Sequence, residues 1–226
     1  MAHGIYSWGA STVFDGKKYT DKGFLKTKVS LNVKQDTTDI NTVNMAIFID
    51  KGKKIKIKNI LFKGNKTLSA IQLRKAMKNT KQKFIGRFWK GSKYIEEDYQ
   101  EDLESILDKY SRLGFRDARI LKDTIYEVQP GLMNVDVYVE EGRKYYFRNI
   151  TFVGNTKYST EVLRRVLRLE KGDVYDNKLL NERVSLDVNG ADIATIYLDN
   201  GYLFSQVIPV EVLAINDSID IEIRIR

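Results

Sequence analysis

Few residues of this chain belong to the types that carry out catalysis. The 226 residues include no cysteine and one histidine, His3, so thiol nucleophiles, thiolate metal sites and histidine-based proton transfer have no convincing candidates. The acidic clusters Glu96-Glu97-Asp98 and Glu101-Asp102 lie where a helix is predicted to begin, and carboxylates there compensate the helix dipole. We therefore expect a non-enzymatic protein without metal or cofactor; a hydrolase with an unrecognised carboxylate pair is the enzymatic alternative.

A second chemical feature is a run of positive charge that contains aromatic side chains. The formal net charge is +8, and the segment from Lys51 to Ile95 carries fifteen Lys or Arg and no Asp or Glu. Such a composition suits a nucleic acid or an anionic membrane. Lys54, Lys56 and Lys58, however, alternate with Ile55 and Ile57, which is typical of the solvent side of a half-buried strand. We define a candidate basic-aromatic patch, which would bind a neighbouring domain, an anionic lipid surface or a partner protein. Its residues are Lys81, Lys83, Phe84, Arg87, Phe88, Trp89 and Lys90.

Two stretches of the chain have nearly the same sequence, KIKIKNILFKGNKTLS at 54–69 and KYYFRNITFVGNTKYS at 144–159. In each, alternating apolar residues followed by Gly-Asn predict a strand and a turn. Ser69 and Ser159 then occupy capping positions, so a short helix should follow each turn. Apolar residues from Ile95 to Leu113 share one face of a second predicted helix, which should end at Gly114.

The helix-ending glycine recurs at Gly23, Gly114 and Gly201, and two extended segments with alternating apolar residues follow each of them. The repeated order is therefore strand, helix, helix, strand, strand. Pro209 lies in the first strand of the last pair, and because proline has no amide hydrogen this strand is predicted at a sheet edge. Asn189-Gly190 should interrupt the second helix of the last unit.

The repeat divides the chain into three predicted modules, which we call the first, second and third repeats. The first, 1–52, is truncated and holds the end of a second helix and a hairpin, whereas 53–142 and 143–226 are complete. The predicted class is α+β. No stretch has the eighteen or more apolar residues of a membrane-spanning helix.

With these elements placed, the chain resembles the POTRA (polypeptide-transport-associated) family, the periplasmic repeats that precede the outer-membrane barrel of BamA-type assembly proteins. The resemblance rests on the strand and Gly-Asn turns ILFKGNKTLS and ITFVGNTKYS, on the helix ends KGFLKTKV, LGFRDARI and NGYLFSQV, and on the closing strand VDVYVEEG. It implies tandem repeats, each a β-α-α-β-β unit with a three-stranded mixed sheet, two helices on one face, and the first hairpin strand at an open edge.

The resemblance also implies a function. POTRA repeats of this kind receive unfolded outer-membrane proteins in the periplasm and dock accessory lipoproteins, as the soluble part of an outer-membrane protein. An edge strand can pair with any extended chain through its backbone, which suits clients that share little sequence. The strands predicted to do so are 116–128 and 203–212. The candidate contact residues are Ala118, Ile120, Lys122, Thr124, Tyr126, Ser205 and Val207.

Two other functions stay open from the sequence. TamA-like and two-partner-secretion translocation proteins carry repeats of the same kind, and only their barrels and repeat numbers would separate them. A basic nucleic-acid-binding module is the alternative from another class, although nucleic acid is not the partner we expect. It predicts affinity that falls steeply with salt.

Overall fold

The computed structural model describes residues 17–35, 42–82 and 93–226. The patch residues Lys83, Phe84, Arg87, Phe88, Trp89 and Lys90, and also His3, lie outside these ranges. The helices are α1 (Lys17–Thr20), α2 (Ala70–Ala76), α3 (Glu96–Ser111), α4 (Thr160–Leu167), α5 (Asn177–Asn181), which continues as a π-helical turn (Glu182–Leu186), and α6 (Ile193–Asp199). The strands are β1 (Lys28–Gln35), β2 (Val43–Asp50), β3 (Lys56–Lys63), β4 (Arg119–Gln129), β5 (Leu132–Glu140), β6 (Tyr146–Val153), β7 (Val207–Ile215) and β8 (Ser218–Ile225).

The strands form three sheets, and their order confirms the predicted class and topology. β1 and β2 form a two-stranded sheet, whereas the other two sheets have three strands each, in the orders β3-β5-β4 and β6-β8-β7. In the last sheet β6 runs parallel to β8 and β7 runs antiparallel to it. Each complete repeat is therefore a three-stranded mixed sheet accompanied by helices.

By packing, the described chain divides into two compact units that do not follow the sequence repeats. The first unit comprises the described residues up to 61, together with those of 77–102 and 123–137. In it, β1 and β2 pair from Lys28 with Asp50 to Gln35 with Val43, and every side chain of these two strands is exposed. The buried apolar side chains of the first unit lie outside this hairpin. They are Ile55, Ile57, Ile60, Met77, Tyr94, Tyr99, Val135 and Val137.

The second unit comprises 62–76, 103–122 and 138–226 and contains the whole third repeat. The hydrophobic core of the third repeat lies between its sheet and its helices. The alternation in β8 places Ile219, Ile221, Ile223 and Ile225 on the covered face, since side chains of a strand point alternately to its two sides. The helices contribute Leu163, Leu167, Leu180, Val184, Ile193 and Tyr197 to the same core.

Local sequence signals fix the helix ends. Ser69 and Gln72 form a capping box, in which the Gln72 side chain accepts from the Ser69 amide at 2.9 Å and the Ser69 hydroxyl accepts from the Gln72 amide at 3.3 Å. The Ser159 hydroxyl accepts from the Val162 amide at the start of α4. The predicted short helices and their caps are thus confirmed. No helix of the described ranges is long and apolar enough to cross a membrane.

The second helix of the third repeat is interrupted, as Asn189-Gly190 predicts. α5 and its π-helical turn end at Leu186, and the chain turns before α6 begins at Ile193. The buried Asp192 carboxylate secures this turn, because it accepts from the Thr195 amide at 2.8 Å and from the Asp187 amide at 3.1 Å. Gly190 has a φ of 70°, a left-handed conformation that glycine adopts without strain.

Candidate functional site

The strands predicted as open flanks, β4 and β7, each form one of the two outer strands of a three-stranded sheet and pair with its central strand. Ile120, Lys122, Thr124 and Tyr126 lie in β4, and Val207 is the first residue of β7. The side chain of Val207 is buried, so this residue offers its backbone to an incoming chain but not its side chain.

Ala118 and Ser205, two of the predicted contact residues, lie outside the strands. Their predicted position within an edge strand was therefore wrong. β4 begins at Arg119 and β7 at Val207, three and four residues later than predicted. The residues before each strand complete the turn that ends the helix: the Ala118 amide donates to the Phe115 carbonyl at 3.2 Å, and the Ser205 amide donates to the Tyr202 carbonyl at 3.1 Å. Ala118 and Ser205 therefore use their amides within the turn and cannot extend the pairing edge.

The hydrogen bonds of β7 show which of its amides face outward. The amides of Gln206 and Arg226 each donate to the carbonyl of the other, at 2.9 and 3.0 Å. Bonded and non-bonded pairs alternate in an antiparallel ladder, so the backbone of Val207 and Pro209 points away from β8. Pro209 thus stands at an outward position where an amide hydrogen is missing, which confirms its predicted place on an edge.

A bulge further along β7 interrupts the edge again. The pairing register with β8 shifts between Glu211 and Leu213, which leaves Val212 without a partner residue. Bulges of this kind twist an edge strand and limit its pairing with other chains. The regular part of the outer edge of β7 is therefore short.

Charged side chains of β4 make contacts across the surface of its own sheet. The Arg119 guanidinium pairs with the Glu140 carboxylate of β5. The ammonium groups of Lys122 and Lys63 lie 4.5 and 4.8 Å from the ring centroid of Tyr138. Because side chains project from the faces of a sheet while backbone amides and carbonyls point along it, these side-chain contacts do not use the outer backbone of β4.

The segment after α3 connects the second repeat to the third. The Gly114 carbonyl accepts from the Tyr145 amide at 2.8 Å, and the Asp117 carboxylate accepts from the Tyr145 hydroxyl at 2.6 Å. This hydrogen bond raises the pKa of the Tyr145 hydroxyl above its ordinary value. Arg116, the first residue of the edge segment predicted at 116–128, lies before β4 and pairs with Glu211 of β7 at 2.7 Å. Sequence reasoning missed this contact, because nothing local links positions so far apart.

The same junction occurs in the first unit. The Gly23 carbonyl accepts from the Ile55 amide at 2.8 Å, and Gly23 ends α1 as Gly114 ends α3. An ion pair between the Lys26 ammonium and the Glu127 carboxylate, at 2.6 Å, lies nearby in the same unit. The hydrogen bond from the Lys26 ammonium and a second one from the Gly131 amide lower the pKa of the Glu127 carboxyl.

Of the basic-aromatic patch, only Lys81 lies in the described ranges. Its ammonium donates to the Met77 carbonyl just after α2, so it takes part in local structure. Lys56 and Lys58 are exposed on either side of the buried Ile57, as expected for the outer side of a half-buried strand. The patch itself remains a prediction.

The acidic residues near the start of α3 have structural roles. Glu96, Glu97 and Asp98 form its first turn. Asp102 is buried and accepts hydrogen bonds from the amides of Lys78, at 2.6 Å, and Asn79, at 3.1 Å. The carboxylate thus secures the loop that follows α2. Within the described ranges, no three His, Cys, Asp or Glu residues come together as a candidate metal site.

Comparison with known proteins agrees with the fold and with the repeat. The model of the POTRA family, described as surface antigen variable number repeat, matches residues 55–142 and 145–226. The structure of POTRA domains 3–5 of Haemophilus influenzae BamA superposes with a TM-score of 0.53 at 16% identity, covering 93% of this chain and 76% of that one. At this identity the likeness shows the fold alone.

Curated relatives match over most of the chain. A protein of Treponema pallidum (strain Nichols), named for outer membrane protein assembly, is 26% identical over 191 residues, or 82% of this chain. The outer membrane protein assembly factor BamA of Neisseria meningitidis serogroup B is 24% identical over 193 residues, or 84% of this chain. The matches cover only 21% and 23% of these relatives.

Mixed three-stranded sheets with helices, repeated in tandem, define the class of protein. The family match over both complete repeats then gives the identification: the chain belongs to the POTRA family.

Proposed function

We propose that these repeats are the periplasmic part of an outer-membrane protein assembly factor, and that they bind unfolded outer-membrane proteins by strand addition. The modules of this proposal are 1–52, 53–142 and 143–226. The relatives named for outer membrane protein assembly support it, since they are similar to 82% and 84% of this chain, which includes residues that match the POTRA model. Scaffolding of accessory lipoproteins belongs to the same proposal.

The observation that carries the proposal is the outer edge of β4. This strand has eleven residues, lies at the edge of its sheet and contains no proline. Its amides and carbonyls can pair with an extended client whatever the client's side chains, because backbone hydrogen bonds do not read sequence. Each repeat would bind weakly, and several repeats in one chain would raise the overall affinity through effective concentration.

Site-specific photo-crosslinking tests the proposal. The crosslinker is placed in the full-length protein, in cells that synthesise an outer-membrane β-barrel client. A crosslinker at Thr124, which is exposed in β4, should capture the unfolded client, and one at Ile208 in β7 should capture it less often. Glu104, exposed on α3, is the matched control and should give no product. Capture from Glu104 as frequent as from Thr124 would contradict strand addition.

The nucleic-acid alternative makes a separate prediction. It requires binding of DNA or RNA at low salt that weakens steeply as salt is added, through residues between 51 and 93. Lys81 already uses its ammonium within the fold, and Lys54 lies 5.2 Å from the ring centroid of Phe24. Absence of a gel shift at low salt would dismiss this alternative.

A further inference from the structure

One charged side chain of β4 differs from the others in its surroundings. The Arg119 guanidinium, the Lys122 ammonium and the Glu127 carboxylate each contact a charged or aromatic side chain elsewhere in the fold. Asp123 lies in the middle of the same strand, is exposed, and forms no ion pair with a residue of the described ranges. Its negative charge therefore stands at a sheet edge without a positive partner from those ranges.

The side chain of Asp123 lies on the helix side of its sheet. The Lys122 ammonium contacts the ring of Tyr138, which follows the core residue Val137 and so belongs to the opposite face of the sheet. Because side chains alternate along a strand, Asp123 faces the side that carries the helices. In agreement, burial and the negative charge of Asp123 raise the pKa of the Tyr99 hydroxyl, a group of the helix α3.

The backbone of Asp123 points away from its own sheet. A methyl group placed on Gly64, directly after β3, would lie 2.0 Å from the Val139 carbonyl oxygen, so the backbone of this core-facing residue of β5 points toward β3 and away from β4. Hydrogen-bonded and non-bonded pairs alternate in an antiparallel ladder. The helix-side residues of β4 lie opposite the core-facing residues of β5 and are therefore the non-bonded ones. The amide and carbonyl of Asp123 thus point outward, where an added strand would lie.

The third repeat has the same arrangement of strands but a different residue at such a position. Val207 has a buried side chain on the helix side, and its backbone points outward because the neighbouring Gln206 is the residue that exchanges hydrogen bonds with Arg226. The next outward position of β7 is held by Pro209, which has neither an amide hydrogen nor a charge. Asp123 of β4 provides both, so the two edges offer different chemistry to an incoming chain.

We propose, on the basis of the proposed strand addition to β4, that Asp123 selects among extended clients by binding a lysine or arginine side chain of the added strand. The client residue opposite Asp123 forms backbone hydrogen bonds with it. Residues directly opposite each other share a face of the sheet, so the side chain of that client residue also lies on the helix side, beside the carboxylate. Opposite charges in such a pair stabilise the pairing and like charges weaken it. The edge thereby reads one side chain of a client while its backbone accepts any sequence.

The test measures binding of three labelled peptides to the whole chain by fluorescence anisotropy at low salt. The peptides share the alternating sequence of a β-barrel strand and differ only in one central residue, which is Lys, Gln or Glu. The unchanged chain should bind the Lys peptide about three- to tenfold more tightly than the Glu peptide, with the Gln peptide between them. Asp123→Lys should reverse this order, Asp123→Asn should make the three affinities equal, and added salt should reduce the differences.

Glu104→Lys is the matched control, because it makes the same change of charge at an exposed position of α3, and it should keep the order of the unchanged chain. Slower hydrogen exchange of the Asp123 amide locates a bound peptide at this edge. If all three peptides slowed this exchange and bound equally well, selection by Asp123 would be overturned while strand addition would stand, and the carboxylate would instead guard the edge. If no peptide slowed it, strand addition to β4 would fail and the selection with it.

Discussion

The second and third repeats have the same order of elements, yet their outer edges differ. The outer edge of β4 has no proline, whereas β7 lacks an outward amide hydrogen at Pro209 and is bulged after Glu211. In the second repeat, the buried Glu141 carboxylate accepts from the Tyr110 hydroxyl and from the amides of Lys66 and Thr67.

The difference between the two edges shows that one fold can be adapted for different contacts. β4 keeps a long edge available for pairing. β7 is engaged from within the chain, because Glu211 accepts from the Tyr175 hydroxyl at 2.5 Å and pairs with Arg116 at 2.7 Å. We therefore expect the second repeat to contribute more to client binding and the third to contribute more to the connection between modules.

The largest expected effect concerns the buried carboxylate. Glu141→Ala should destabilise the second repeat by about 2–4 kcal/mol, because it leaves a buried hydroxyl and two amides without their acceptor. Native-state amide exchange in β5 measures this loss. Tyr110→Phe, which removes one donor to this carboxylate, should cost about 1 kcal/mol, whereas Tyr197→Phe should cost nothing or stabilise slightly, because it removes a buried hydroxyl without a partner in the described chain. If the two tyrosine variants lowered the free energy of unfolding equally, the Tyr110 hydroxyl would contribute no more than the Tyr197 hydroxyl, which would contradict this prediction.

Acid should reveal the same carboxylate. The pKa of Glu141 is below its ordinary value of 4.5 in the folded state, so its stabilisation is present above pH 4.5 and is lost as pH falls through the folded pKa. The free energy of unfolding of the region around β5, measured from pH 6 to about pH 2, should show this loss. Glu141→Gln should flatten the acid part of this pH profile.

The third repeat offers the control for acid. Asp220 receives two hydrogen bonds from Arg148, at 2.8 and 2.6 Å, which lower its pKa. Asp220→Asn should therefore flatten the acid profile of β8 and leave that of β5 unchanged. A profile of β5 that responds to Asp220→Asn as strongly as to Glu141→Gln would contradict the assignment.

A smaller effect is expected from restoring the outward amide of β7. Pro209→Thr should raise binding of an extended β-barrel peptide to the third repeat by about two- to tenfold, the equivalent of one net hydrogen bond. Fluorescence anisotropy of the labelled peptide gives the measurement. Ile208→Thr is the matched control, because the Ile208 amide faces β8 and already lies within the ladder. Equal affinity of the two variants would show that Pro209 does not limit pairing.

The smallest effect is expected at the connection between the repeats. Arg116→Ala should cost about 0–1 kcal/mol, because the pair with Glu211 is partly exposed and a screened ion pair contributes little. The loss should shrink as salt is added. Thermal unfolding at low and high salt measures it, with Arg112→Ala, exposed after α3, as the control. A salt-independent loss would assign Arg116 a packing role.

The sequence predicted most of the local structure, and the reason is physical. Alternating apolar residues, the capping serines and glycines such as Gly114 act within a few neighbouring positions, so each element leaves its own signal. Prediction was poorest where the chain leaves a helix. There, Ala118 and Ser205 were assigned to strands because a turn and a strand start have similar composition, whereas the hydrogen bonds that close the turn were invisible.

By itself, the sequence determined the number and order of the elements, the repeat and the place of Pro209 at an edge. Only the tertiary structure decided that Arg116 reaches Glu211, and that Glu141 meets donors 31 and 75 positions away in the chain. Local periodicity reports which face of an element is buried. It does not report which distant side chains share that burial, since their meeting depends on strand register and on the path of the chain between them.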